Sequence, residues 1–247
     1  MRRHALQLGL SLALAAILWL VVGVWHWWLV GLLIVVLVEL PVWRPAVIRT
    51  NLPQVAPRLV AGLSGVLILT SYPVGRWALL PVAAIYAAWR FWLCQDEESS
   101  PYVGALIGQA LALEAIFVWA VTTDGSRTIV TALVWLVSFV IAWDVTRRQS
   151  TGRPSAEAVV LAATWALVAA EIAWVLQAWL VAYVLGGQAL LIPQPVLVLT
   201  GVAYCFGSIY TAQRQGRLSR SRLLEYVVVG FVVLAIVVLG TNWQATL

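Results

Sequence analysis

The chain reads as a succession of long apolar runs, separated by short breaks of arginine, proline, glycine and small polar residues. Most runs are close to the roughly 20 mostly apolar residues that a helix needs to cross a bilayer. The breaks predict spans near 5–23, 27–43, 58–72, 76–94, 102–121, 128–146, 156–184, 190–212 and 223–241. Trp25-His26-Trp27-Trp28 predicts a tight turn between the first two. Tyr72-Pro73-Val74-Gly75 does the same between the third and fourth, because Pro and Gly interrupt a helix. The seventh run is long enough to tilt or to project from the bilayer. The expected fold is all-α: one polytopic transmembrane bundle of nine spans over residues 1–247. Met1-Arg2-Arg3 and the run behind it imitate a secretory signal. The run is too long for one and leads straight into a second span, so an uncleaved first helix is expected.

Composition agrees with this pattern. Of 247 residues, 63% are hydrophobic and 10% charged, against about 25% charged in a soluble domain. Short loops and no sizeable soluble domain follow. The two cysteines, Cys94 and Cys205, fall on predicted spans and read as small buried hydrophobes, not as a disulfide.

Charge supplies the orientation. The net charge of +5 comes from arginine alone, since the chain has no lysine. With the N-terminus inside and nine crossings, the inner segments hold Arg2, Arg3, Arg44, Arg49, Arg58, Arg90, Arg147, Arg148, Arg153, Arg214, Arg217, Arg220 and Arg222, thirteen of fifteen arginines. The outer segments hold Arg76 and Arg127. The positive-inside rule then predicts a cytoplasmic N-terminus and an external C-terminus. The third span is short and follows Pro57, but without it the later arginine clusters would face outward.

Twelve of the fifteen tryptophans fit two interfacial belts. Trp19, Trp25, Trp27, Trp28, Trp77, Trp119, Trp179 and Trp243 fall toward the outer face, and Trp43, Trp89, Trp92 and Trp143 toward the inner. Trp135, Trp165 and Trp174 lie deeper, where helix packing is favoured over an aromatic ligand wall. Gly104, Gly108 and Ala112 form a small-residue face on the fifth span, suited to close helix approach.

Ionisable residues within a span mark candidate function, because a charge at the bilayer centre costs several kcal/mol or more. Glu39 beside Arg44, and Asp144 three and four residues before Arg147 and Arg148, read as interfacial ion pairs. The loop Gln95-Asp96-Glu97-Glu98-Ser99-Ser100 reads as solvated. Glu114 and Glu171 differ from these. They lie about 18 Å and about 21 Å along parallel helices, at similar depth in the outer half. Gln109 and Gln177 share those helices. Two readings stay open. The four line a polar cavity that binds a proton, cation or polar solute, or each side chain pins a neighbouring helix. Ala-Leu-Ala-Leu-Glu114-Ala-Ile faintly echoes Ala-Leu-Val-Ala-Ala-Glu171-Ile, too briefly to establish a repeat.

Exclusions are sharper. Without lysine there is no Schiff base and no phosphate-loop lysine. The only histidines, His4 and His26, sit at opposite ends of one helix, which removes histidine-based zinc, haem and hydrolase sites. No cofactor, metal or catalytic residue is expected. Arg214, Arg217, Arg220 and Arg222 form a cytoplasmic basic surface that topology explains and that anionic lipid headgroups would suit. The expected partners are the bilayer and a membrane-protein subunit, not nucleic acid.

The stretch from Glu171-Ile-Ala-Trp through Arg214-Gln-Gly-Arg217 to Leu223-Leu-Glu225-Tyr226 resembles uncharacterised multi-pass proteins of candidate-phyla bacteria, over the last third of the chain. The resemblance implies a prokaryotic cytoplasmic (inner) membrane and no activity. The expectations are therefore a scaffold or accessory subunit first, a small transporter or channel using Glu114 and Glu171 second, and an intramembrane enzyme on a lipid-linked substrate last.

Overall fold

The computed structural model describes residues 2–39, 59–60, 62–71, 76–95, 101–149, 156–185 and 190–240. The acidic loop at 96–100, the Tyr72–Gly75 turn, Arg44, Arg49, Arg58, Arg153, Trp43 and Trp243 lie outside the described residues.

Among the described residues every apolar run read as a span contains a helix. α1 (Arg2–Leu18) continues into a π-helical turn, Trp19–Val24. His26 adopts φ 59° and closes the expected turn, with the Trp27 N–H donating to the Val21 carbonyl at 3.0 Å. α2 (Trp28–Glu39) and α3 (Gly62–Ser71) follow. A 3₁₀ turn, Arg76–Leu79, leads into α4 (Leu80–Gln95). Then come α5 (Pro101–Thr123), α6 (Arg127–Gln149), α7 (Ala156–Leu176), α8 (Gln194–Arg214) and α9 (Arg220–Gly240). Among the described residues, α5 to α8 are the four helices long and apolar enough to cross a membrane.

One run departs from the expected pattern. The seventh was expected to stay helical to residue 184, but α7 ends at Leu176. After a 3₁₀ turn, Gln177–Trp179, the backbone extends at Leu180 (φ −66°, ψ 101°). β1 (Ala182–Leu185) then pairs antiparallel with β2 (Leu190–Pro193), Ala182 opposite Pro193. The run is apolar in either conformation, so hydropathy does not register the change. Gly186-Gly187 between two apolar stretches is the hairpin signal it carries.

α5 is mostly apolar, and between residues 105 and 120 none of its side chains is exposed, the pattern of a central helix. Its Leu111, Ala115 and Val118 join a core with α1, α2, α3 and α4. Its Ala112, Leu113, Ile116 and Phe117 join a second core with α6, α7 and α8. Around that second core the contacts run α5 to α6, α6 to α7, α7 to α8 and α8 back to α5. The four helices form an antiparallel ring in which α5 and α7 are diagonal.

Small residues make the close contacts. On α7, Ala158, Ala162, Ala166, Ala169 and Ala173 are all buried. This ridge lets α6 and α7 pack along their length, and the Thr146 hydroxyl lies 3.3 Å from the Ala158 carbonyl. On α5, Gly108 leaves room for the Trp89 ring, 3.5 Å from where a Cβ would stand. Trp89, expected in the inner belt, is instead 2% exposed and belongs to the core. Trp25, Trp27, Trp28 and Trp77 are exposed, as interfacial residues are. α9 packs against α8, where Val233 covers Gly201, and presents an exposed apolar face that includes Phe231.

Candidate functional site

A cavity of about 310 Å³ opens among the four helices of the ring. This lies at the lower edge of small-ligand pockets, roughly 300–1,000 Å³. Its origin is local. Ala105 on α5, Ala142 on α6, and Ala203 and Gly207 on α8 bring small side chains to one level. Larger apolar groups, including Ile141, Val145, Leu161 and Val168, wall the space that remains. The lining comes from the first third of α5, the last third of α6, the first half of α7 and the second half of α8. In an antiparallel ring those portions share one end, the end that carries Arg147 and Arg214.

The cavity is not sealed. Thr164 and Phe206, which line it, are exposed, so a mouth lies between α7 and α8. The rings of Trp165 and Phe206 meet across this gap with centroids 5.7 Å apart. Trp165 thus forms part of a cavity wall, where packing alone had been favoured.

Gln109 dominates the chemistry of the lining. The residue is 3% exposed, and its Nε2 has no hydrogen-bond partner among the described residues. The threonines nearby are satisfied locally: Thr146 donates to the Ala142 carbonyl at 2.8 Å, and Thr164 to the Val160 carbonyl at 2.9 Å. Ser138, Trp143 and Thr200 also carry buried unpartnered polar atoms, but none of them lines this cavity. Of these residues Gln109 lines the cavity, with its Nε2 itself buried.

The arginine-rich rim is polar. Tyr210 lines the cavity, and its hydroxyl accepts a hydrogen bond from Arg214 Nε at 3.3 Å. The Arg214 guanidinium lies over the Tyr210 ring, 5.6 Å from its centroid, and pairs with Glu157 in the first turn of α7. Glu157 at a helix N-terminus and Arg214 at a C-terminus both complement the helix dipoles. Gly216, at φ 63°, ends α8, with the Arg217 N–H donating to the Ala212 carbonyl at 2.9 Å. Ser219 caps α9 by accepting the Arg222 N–H at 3.3 Å. Arg217, Arg220 and Arg222 are exposed along this turn.

The other candidate residues lie elsewhere. Glu114 and Glu171 sit past the cavity, toward the far end of the ring, on the diagonal helices α5 and α7. Glu114 is half-buried and Glu171 exposed, and neither lines the cavity. One turn beyond Glu171, Trp174 stacks under the Arg127 guanidinium at 5.5 Å. Gln177 Nε2 donates to Thr131 Oγ1 and to the Ala173 carbonyl, each at 3.1 Å, and so ties α7 to α6. Asp144, expected at the interface, is 4% exposed. Cys205 is half-buried, with its thiol 3.4 Å from the Tyr226 carbonyl on α9. Among the described residues no cluster of histidine, cysteine and acidic side chains forms a metal site.

The sequence reading missed the cavity itself, Tyr210 and Glu157. The small residues that open the cavity lie on different helices, and only their mutual register reveals them.

No curated protein and no solved structure is detectably similar to the chain. The family described as Protein of unknown function (DUF5656) matches residues 57–240, most of the chain, and the chain belongs to that family.

Proposed function

We propose that the chain is a nine-span protein of a prokaryotic cytoplasmic membrane, with its N-terminus inside and its C-terminus outside. It acts as a scaffold or accessory subunit and holds the apolar part of a ligand in the α5–α8 cavity. One observation carries this reading: a mostly apolar space of about 310 Å³, with the buried Gln109 in its lining, opens sideways between two membrane-length helices. The lateral mouth supports entry from the bilayer without passage through water. The distribution of arginines supports the orientation, with the cavity in the cytoplasmic half.

The test is photolabelling. The full chain in liposomes is irradiated with a phosphatidylcholine that carries a diazirine on its acyl chain, and adducts are mapped by mass spectrometry. The expected result is adduct formation on Trp165, Phe206 and Tyr210, lost when Gly207→Leu fills the space. Labelling confined to outward residues such as Phe231, and indifferent to Gly207→Leu, would refute the cavity.

A second reading is transport of protons, cations or a polar solute through Glu114 and Glu171. It draws support from the half-buried position of Glu114 on the central helix α5.

A further inference from the structure

We infer that the outward face of α9 is a homodimer interface. Two copies of the chain in one membrane pack their α9 helices in parallel through Leu224, Val228 and Phe231, and reciprocal Arg220–Glu225 pairs lock them. The inference takes from the reading above only that α9 spans the bilayer. It is independent of the cavity.

The fold leaves this face open. α9 lies against α8 through one side: the Cys205 thiol is 3.4 Å from the Tyr226 carbonyl, and Val233 covers Gly201. Among the described residues α8 is its one extensive neighbour. At about 100° per residue, Leu224, Val228 and Phe231 point the opposite way. They are 67%, 51% and 70% exposed. Their spacing, four residues and then three, is the alternation that keeps a seam on one face of a coiled coil, with Leu224 and Phe231 at position d and Val228 at position a. A β-branched residue at a with leucine at d favours two strands.

Lipid tails are as apolar as this seam, so the seam alone does not select its occupant. Charge does. In the same heptad count Arg220 takes position g and Glu225 the next position e, the two places whose side chains pair between helices of a parallel coil. Both are exposed. Five residues apart on one helix, they lie about 140° apart around it, on opposite edges of the seam, and do not meet within the chain. Arg220 has no acidic partner among the described residues. The Glu225 carboxylate accepts only the Tyr204 hydroxyl, at 3.5 Å, which leaves acceptor capacity for a guanidinium. A twofold axis along the membrane normal keeps the two copies in the same topology and their α9 helices parallel. It brings Arg220 of each copy to Glu225 of the other, so one sequence supplies two ion pairs. The pairs fall in the first two turns of α9, where a charge still reaches the interface and costs least. The flanking positions one heptad deeper are Val227 and Val232, both apolar. The occupant that fits this face, in seam and in charge, is a second α9.

The test uses the full chain in liposomes at a low protein-to-lipid ratio, in a background of Cys94→Ala and Cys205→Ala. Leu224→Cys, Val228→Cys and Phe231→Cys are each oxidised with copper phenanthroline and read as covalent dimer. All three should cross-link, and Leu223→Cys, exposed on the same helix but about 100° around from the seam, at least fivefold less. Interhelical polar contacts each shift association several-fold, and symmetry supplies two, so Arg220→Glu or Glu225→Arg alone should weaken dimerisation roughly tenfold. In the double variant Arg220→Glu, Glu225→Arg the pairs re-form with their signs exchanged, and cross-linking through Val228→Cys should return. No dimer at the seam, equal cross-linking at Leu223→Cys, or a double variant no better than the single ones overturns the interface. Ready reaction of Phe231→Cys with an impermeant maleimide in intact liposomes overturns instead the membrane span on which the interface depends.

Discussion

Replacing Gln109 by leucine separates what the side chain does for the fold from what it does for binding. In the free protein Gln109 is 3% exposed, and its amide nitrogen has no partner among the described residues. Such a group costs about 1–3 kcal/mol relative to one that is bonded. Leucine removes the donors and keeps a similar bulk. The lipid-depleted variant is therefore expected to be more stable than the wild type by about 1–3 kcal/mol. At about 2–4 °C per kcal/mol for a chain of this length, Tm rises by roughly 2–12 °C. Thermal unfolding in detergent, followed by tryptophan fluorescence, measures it. An unchanged or lower Tm in the lipid-free variant would mean that the amide is already bonded, and the argument from an unmet donor would fail.

Ala166→Leu places a large side chain into the fully buried α6–α7 ridge and should cost about 1–3 kcal/mol, seen as a lower Tm; Val160→Leu, on the exposed face of the same helix, should leave Tm unchanged. Gly216→Ala puts a Cβ on a residue at φ 63° and should destabilise by roughly 1–2 kcal/mol, with Gly216→Asn milder. If Glu114 and Glu171 serve transport, Glu114→Gln and Glu171→Gln should each lower solute flux in liposomes; flux equal to wild type sinks that role. In a background of Cys94→Ala and Cys205→Ala, an impermeant maleimide should label Ser126→Cys from outside and Gln215→Cys from inside, and same-side labelling of both contradicts nine crossings.

Among the described residues each of the nine apolar runs holds a helix, because one constraint acts on each apolar run separately. Backbone polar groups surrounded by hydrocarbon must bond within their own segment, and a helix does this without outside partners. Features that depend on relations between segments were harder to see. The hairpin of Ala182–Leu185 with Leu190–Pro193 hides inside continuous apolarity, since strand and helix satisfy hydropathy equally well. The π-helical turn at Trp19–Val24 has no sequence signature of its own. The alanine ridge of α7 was legible but overlooked. Its spacing of mostly four residues, Ala158 to Ala173, announces a packing face more fully than the Gly104, Gly108 and Ala112 face that was singled out. Trp89 shows the limit of an interfacial reading: its position along α4 suits a belt, but its direction is set by the opening at Gly108.

The site was half legible, and the reason lies in how polar groups announce themselves. A carboxylate in an apolar run is conspicuous because ionisation in hydrocarbon is costly. A glutamate on a helix surface relieves that cost by reaching toward an interface or by taking a proton. Glu171, exposed and one turn from the Arg127–Trp174 stack, has such a route. Gln109 has none. It cannot discharge by protonation, it is too buried to reach water, and the threonines around it spend their hydroxyl donors on their own helices. Sequence attached it to Glu114 as a fellow polar residue on the same span. The structure separates the two along α5 and sets Gln109 against the cavity. A leucine at 109 would serve a helix that only packs, and would serve it better. A glutamine there is a liability unless something accepts its N–H groups.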